Sequence, residues 1–319
     1  MSSNPNLATL FGAKSSDTFL GLKSCKSLTD LTAPIALIGA PCATPYRSVG
    51  AYCKNAPNAL RKAISSMTSN IDRHNFDLGG PTFLPDSEVA VDCGDLPFNE
   101  NTPSDNRKII RSAIEQILQK QSVPIVIGGD DSIPIPMLQA FEGQGKFTVL
   151  QLDAHIDWRN CHMDEKMGLS STMRRASEML HIERILQIGS RGIGSGHTDD
   201  LQDALEWGVT FVTADDLHVQ NSYNVLDSIP EASNIIICVD ADIFDPSIVP
   251  GVIGRTPGGL GYYQVFNLIK LATERGRIAA ISFVEYMPEA DIDGLGGLVI
   301  SRLITSSMGL ISRQISDKC

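Results

Sequence analysis

The sequence predicts an α/β fold built on a mostly parallel sheet. Two observations carry that expectation: eight short apolar runs recur along the 319 residues, and amphipathic segments lie between them. The runs are IALIG (35–39), VAVDC (89–93), PIVIG (124–128), FTVLQLD (147–153), RILQIG (184–189), TFV (210–212), IIICVD (235–240) and IAAISFVE (278–285). Each is short and rich in β-branched residues, the pattern of a strand buried on both faces. Among the intervening segments, DNRKIIRSAIEQILQK (105–120) places Ile109, Ile110, Ile114, Ile117 and Leu118 on one stripe of a helix. No fixed-period repeat, low-complexity linker or break in composition divides the chain, so a single domain is expected over 33–319. The polar residues 1–32 are expected to form an N-terminal arm.

Bulk properties narrow the function. An apolar fraction of 42% and a charged fraction of 20% are those of an ordinary globular protein. The net charge of −11 argues against a nucleic-acid surface, which needs clustered Lys and Arg. Acidic solubility explains that charge, and so does attraction of a cationic substrate. Seven scattered cysteines form no CxxC pair, so neither a zinc knuckle nor a dithiol redox motif is expected. Free thiols, the lack of a basic then apolar leader, and the lack of an eighteen-residue apolar run point to a cytoplasmic protein without a membrane span.

In open parallel sheets, ligands bind beyond the carboxyl ends of the strands. Those ends read GGDDS (128–132), DAHID (153–157), GSRG (189–192), DADIFDP (240–246) and VEYMP (284–288), and four of the five carry carboxylates. Asp153, His155 and Asp157 share one side of the chain if the backbone stays extended, and Asp240 and Asp242 repeat the spacing. A lone DxD at a strand end is commonly a cap or turn. Two such ends in one sheet, one of them with an imidazole, favour metal. Several ionised carboxylates cannot share a crevice without cations, and two divalent ions would supply the charge needed. Oxygen donors with one imidazole suit manganese, and imidazole also accepts nickel, cobalt or zinc. In a two-metal centre, a shared water would become acidic enough to attack an electrophilic carbon.

These residues resemble the ureohydrolases, the family of arginase and agmatinase. Its signatures, a GGDH-type motif, DAHxD, and DxDxxDP followed by a P-G…P-G-G loop, are matched in order by GGDDS, DAHID and DADIFDPSIVPGVIGRTPGGLGY. IGAPCATPYRSVGAYCKNAPNALRKA and VAVDCGDLP are similar to its N-terminal blocks, so the resemblance covers roughly residues 33–310. It implies a three-layer α/β/α domain with an eight-stranded sheet, packed as trimers or hexamers, that hydrolyses a guanidinium group to urea and an amine. It also implies two divalent ions, nickel or manganese. Asp153 and Asp240 would bridge them, His155 and Asp242 would complete one site, and Asp157 would belong to the other. Glu285 would accept hydrogen bonds from the planar guanidinium. A salt bridge from Glu285 to an arginine is the structural alternative. Gly258 and Gly259 are expected to let the backbone pass close to the metals.

Two positions depart from the pattern. Asp131 stands where the family has a ligating His, which gives one all-carboxylate site and a cage about two charges negative. Leu169 or Ser170 falls where agmatinases and arginases have a His thought to carry protons to the leaving amine. His162, in a neighbouring loop, is the candidate replacement. The contacts for an α-amino acid head are also missing. The sequence is therefore similar to the divergent side of the family, which acts on free guanidine, guanidino acids or alkylated biguanides such as metformin. Metformin hydrolase is built from two related subunits, so a catalytically silent partner in a hetero-oligomer is the rival reading. A phosphate-binding role for GSRGIGSGH is disfavoured, because neither a Walker A motif nor GxGxxG is present.

Overall fold

Residues alternate between two apolar layers along the central strands, and that alternation sets the architecture. The computed structural model describes residues 16–83, 89–194, 196–220 and 222–316. Nine strands form one sheet: β1 Lys23–Ser24, β2 Ile35–Ala40, β3 Ala90–Asp95, β4 Val123–Gly128, β5 Phe147–Leu152, β6 Ile182–Ser190, β7 Thr210–Thr213, β8 Ser233–Asp240 and β9 Gly276–Val284. Their order is β1-β3-β2-β4-β9-β8-β5-β6-β7, and every pairing is parallel. Along β8, Ile235, Ile237 and Val239 face one core, while Ile236 and Cys238 face the other. Successive side chains point to opposite faces, so a strand buried on both sides reads as an unbroken apolar run.

Eight of the nine strands overlap the predicted runs. The ninth, β1, lies within the stretch expected to be an arm. Residues 16–32 are in fact packed on the domain: Phe19, Leu20 and Leu22 are buried, and the Phe19 N–H donates to Asp92 Oδ2 at 2.7 Å. Two residues of strand are too short to show a periodicity, which is why sequence patterning missed it. Residues 1–15 lie outside the described residues.

Helices cover both faces. On one lie α1 Ala56–Ile64, α6 Ala214–Gln220, α7 Tyr262–Arg275 and α8 Leu295–Ser316. On the other lie α2 Pro103–Gln119, α3 Pro134–Gln139, α4 Thr172–Ser177 and α5 Thr198–Trp207. Helix α2 starts with proline at its first position and carries Asp105 in its first turn, both favourable at a helix N-terminus. Its Ile110, Ile114 and Ile117 are fully buried, whereas Ile109 and Leu118 sit at the margin of the stripe. Helix α5 ends at Gly208, whose φ of 105° is a conformation glycine adopts without penalty. Helix α8 is long and apolar enough to cross a membrane, but 78% of its most apolar window is buried inside the domain. It is the central helix of its layer.

One buried ion pair ties the first described residues to the sheet. Arg61 on α1 donates to both oxygens of Asp92, at 2.7 and 2.9 Å, and to Asp95 at 2.5 Å. Asp92 also accepts from the N–H groups of Phe19 and Gly94. Replacing Arg61 with Ala leaves Asp92 buried without its counter-charge, and should cost about 3–5 kcal/mol of stability. A urea unfolding midpoint within error of wild type would contradict that expectation.

Candidate metal centre

The acidic strand ends belong to four adjacent strands, β4, β9, β8 and β5. In register, Val239 pairs with Leu152 and Asp240 with Val284, so Asp153, Asp240 and Glu285 leave the sheet at one level. Asp131 follows β4, whose Ile127 pairs with Phe283. Asp131, Asp153, Asp157, Asp240, Asp242 and Glu285 are all buried, with exposures of 2–8%, and His155 is half-buried.

The chain does not stay extended beyond β5. Asp153 Oδ1 accepts the His155 N–H at 2.6 Å, which folds DAHID into a turn, and Asp157 takes a φ of 43°. After β8 the same device recurs: Asp240 Oδ1 accepts the Asp242 N–H at 2.7 Å. The two turns interlock, since Asp242 Oδ1 accepts the Ala154 N–H at 2.9 Å. These aspartates are therefore turn residues and also members of a cluster.

Two sets of potential ligand atoms result, Asp153–His155–Asp242 and Asp131–Asp153–Asp240, with the donor atoms in each set within 4.8 Å of one another. Asp153 is common to both. His155 Nδ1 lies 2.8 Å from Asp242 Oδ2. Asp157 is joined to the cluster through Gln151, whose Nε2 donates to Asp153 Oδ2 at 2.8 Å and to Asp157 Oδ2 at 2.7 Å. Gln187, its neighbour in register on β6, donates to Gln151 Oε1 and so turns the Gln151 amide nitrogen towards the acids. Neither glutamine was singled out from sequence. The available signal was a polar residue two positions before the end of each of the two apolar runs, FTVLQLD and RILQIG.

Glu285 has a φ of 64°, a strained conformation for a non-glycine residue of the kind that collects at functional sites. Its Oε1 accepts the Asp131 N–H at 2.7 Å and its Oε2 accepts the Tyr52 hydroxyl at 2.5 Å. A tyrosine and a backbone amide thus hold it where an arginine was the alternative. Tyr52, which sequence reading did not identify, comes from the loop before α1. Arg191, in the stretch GSRGIGSGH, donates to the carbonyls of Gly189, Asp242, Phe244 and Thr256 and staples the loops behind the site.

Two expectations are corrected. Gly254, rather than Gly258 or Gly259, makes the close approach: a Cβ there would lie 2.9 Å from His155 Cε1 and 3.2 Å from Asp242 Oδ2. Gly258 occupies a left-handed turn with open space around it, and Gly259 packs on the backbone of Phe244 and Asp245. His162 does not line the cavity above the acids, whereas Leu169 and Ser170 do. Paired backbone hydrogen bonds with Glu165 close its loop, and the ring packs edge-on against Tyr46 at 4.9 Å.

Electrostatics decide whether the cluster suits cations. Burial, then the charges of Asp157 and Asp153, holds the Asp131 carboxyl well above the usual range. Burial and neighbouring aspartates do the same to Asp153 and Asp240. Burial also raises Asp157, partly offset by hydrogen bonding to Asp153 and by the His155 charge. For Asp242, burial pushes upward but the adjacent imidazole outweighs it, and the carboxyl is lowered. Burial opposes a charge on His155, yet Asp153 and Asp242 carry it up to about 11. Burial, then the charge of Asp130, raises Glu285 to about 8. Asp131 Oδ2 is buried without any hydrogen-bond partner. A carboxylate crowd that must otherwise hold protons, with an unsatisfied oxygen inside it, fits a pair of divalent ions that displace those protons.

A pH dependence follows for the metal-free protein. Glu285 is held at about 8 against an ordinary 4.5, so the folded state keeps a proton that the unfolded chain gives up between those values. Stability therefore falls as pH rises through that window. His155, raised from 6.5 to about 11, acts in the same direction above 6.5. The unfolding temperature of chelator-treated protein should drop from about pH 5 to about pH 8, and divalent ions should restore it most at the alkaline end. A flat or rising profile would count against the cluster.

Comparison with known proteins agrees with this geometry. The family model described as "Arginase family" matches residues 33–309. "Arginase 1, mitochondrial" of Arabidopsis thaliana is 28% identical over 269 residues, covering 81% of this chain and 75% of that protein. "N(1)-aminopropylagmatine ureohydrolase" of Thermococcus kodakarensis is 26% identical over 274 residues, covering 84% and 89%. The structure of proclavaminate amidino hydrolase from Streptomyces clavuligerus superposes with a TM-score of 0.79 at 23% identity, covering 95% of this chain and 99% of that one.

Proposed function

Since the chain belongs to the arginase family, hydrolases that act on C–N bonds of amidino compounds, we propose that it cleaves a guanidino compound to urea, or a urea derivative, and an amine. The candidate substrates are a small guanidine, a guanidino acid or an alkylated biguanide such as metformin. The single observation that carries the reading is the pair of ligand sets sharing Asp153.

His155 and Asp242 would hold one divalent ion and Asp131 and Asp240 the other, with Asp153 between them and Asp157 held to the cluster by Gln151. Nickel or manganese suits this set of oxygens and one imidazole. When bound, the ions supply Lewis acidity and cancel the charge of the acids. The chain's own residues supply position. Glu285, fixed by Tyr52 and the Asp131 N–H, presents a planar acceptor to a planar donor at the bottom of a cavity of about 190 Å³. Net hydrolysis breaks one C–N bond, passes the water oxygen to carbon and both water protons to the departing amine, which leaves as an ammonium. Leu169 and Ser170 line the cavity where relatives of this type carry a proton-transferring His, which leaves that transfer to solvent or to a hydroxyl such as Ser170. A cytoplasmic trimer or hexamer, of one or two kinds of subunit, completes the proposal.

The Asp131 and Leu169 departures favour a second reading, a catalytically silent subunit beside an active partner. Two variants separate the readings. Asp153→Ala removes the ligand common to both sets, and should abolish turnover and lower the metal content measured by elemental analysis. Unchanged turnover and unchanged stoichiometry would refute the metal assignment. Asp131→His tests the rival: activity on guanidino compounds that emerges only in this variant would identify the native chain as the silent partner. Glu285→Gln should reduce kcat/KM by about a hundredfold or more while metal content stays constant, because misplaced orientation is costly in catalysis.

A further inference from the structure

Among the described residues that line the cavity, Arg159 is the basic side chain outside the acid cluster and its partner His155. A cation there opposes entry of a guanidinium, which the acidic floor invites, unless it has its own counter-charge to meet. No carboxylate makes an ion pair with it among the described residues: the side-chain partner of its guanidinium is His162 Nδ1, 3.0 Å from Nη1. A guanidinium can only donate, so His162 orients Arg159 without cancelling its charge. The loop beneath is fixed as well, since the Arg159 N–H donates to the Ser170 carbonyl at 3.0 Å and the His162 ring rests on Tyr46. Asp200, in the first turn of α5, also lines the cavity and repels an anion from its own side.

We propose that Arg159 is the specificity-determining residue of this site and that it binds a carboxylate, so that the substrate is a guanidino acid: guanidinium on Glu285 and the metals, carboxylate on Arg159. The assignment rests on the guanidino reading of the same site and narrows it, disfavouring biguanides and other substrates that bear only positive charge. Arginine's fork of donors matches a carboxylate in two parallel hydrogen bonds, a pairing that discriminates by geometry as well as by charge. His162 then acts as a positioning residue through Arg159.

The test compares guanidinobutanoate with butylguanidine, its analogue without the carboxylate, on protein reconstituted with nickel or manganese. Wild type should show a KM for the acid lower on the order of tenfold or more. Arg159→Gln should erase that preference by raising KM for the acid and not for butylguanidine, and Arg159→Lys should keep part of it. Equal KM values in wild type, or an equal loss for both compounds in Arg159→Gln, would overturn the assignment. Calorimetric binding of butanoate separates this inference from the guanidino reading. Butanoate bound by wild type and lost in Arg159→Gln supports the carboxylate site even if neither guanidine is hydrolysed. Absence of butanoate binding to wild type, or equal binding to both proteins, sinks it.

Discussion

Like charges buried side by side are the constraint on which this structure turns. Asp131, Asp153, Asp157, Asp240 and Asp242 reach one end of the sheet from three strands, in a setting where water cannot screen them. The fold manages them in three ways. Backbone N–H groups take up one oxygen of Asp153, Asp240 and Asp242; the Gln151 amide reaches Asp153 and Asp157; and His155 sits against Asp242. What these donors leave unmet, above all at Asp131 Oδ2, is the part that only protons or cations can satisfy. The apolar strands beneath make this arrangement tolerable. Their two-sided burial supplies the stability against which the strained backbone of Glu285 and Asp157 is held.

Much of this was legible in the sequence for a simple reason. Parallel strands covered on both faces must be apolar throughout, so the first acids after each run mark both the strand end and the crevice. The eight long strands, the acid-bearing ends and the ligand-type residues were read that way. What escaped lacks a period or a chemistry of its own. Lys23–Ser24 is too short to alternate, and its attachment depends on Asp92 and Phe19, far apart in sequence. Tyr52 is one tyrosine among six until the fold brings it to Glu285. The expectation of an extended DAHID segment failed because a side chain can substitute for a ladder partner, and Asp153 does so for the His155 N–H. The choice between Gly254 and Gly258 depends on which part of a long loop leans on His155, which a list of glycines cannot reveal.

The departures from the family pattern have a common physical direction. Asp131 in place of an imidazole adds negative charge to the floor, and Leu169 removes a polar group from the wall. Arg159 places a cation above both. The cavity is polarised from negative at its base to positive on one side of its rim, a gradient that suits a molecule carrying both signs better than one carrying a single sign.

The paired glutamines of β5 and β6 carry one further meaning. An amide neither gains nor loses a proton across the range of acidity a cell encounters, so the clasp that Gln151 and Gln187 place on Asp153 and Asp157 keeps its shape whatever the surrounding carboxyls do. A ligand-type carboxylate and its acidic neighbour are thereby held at a fixed separation by a group that does not titrate.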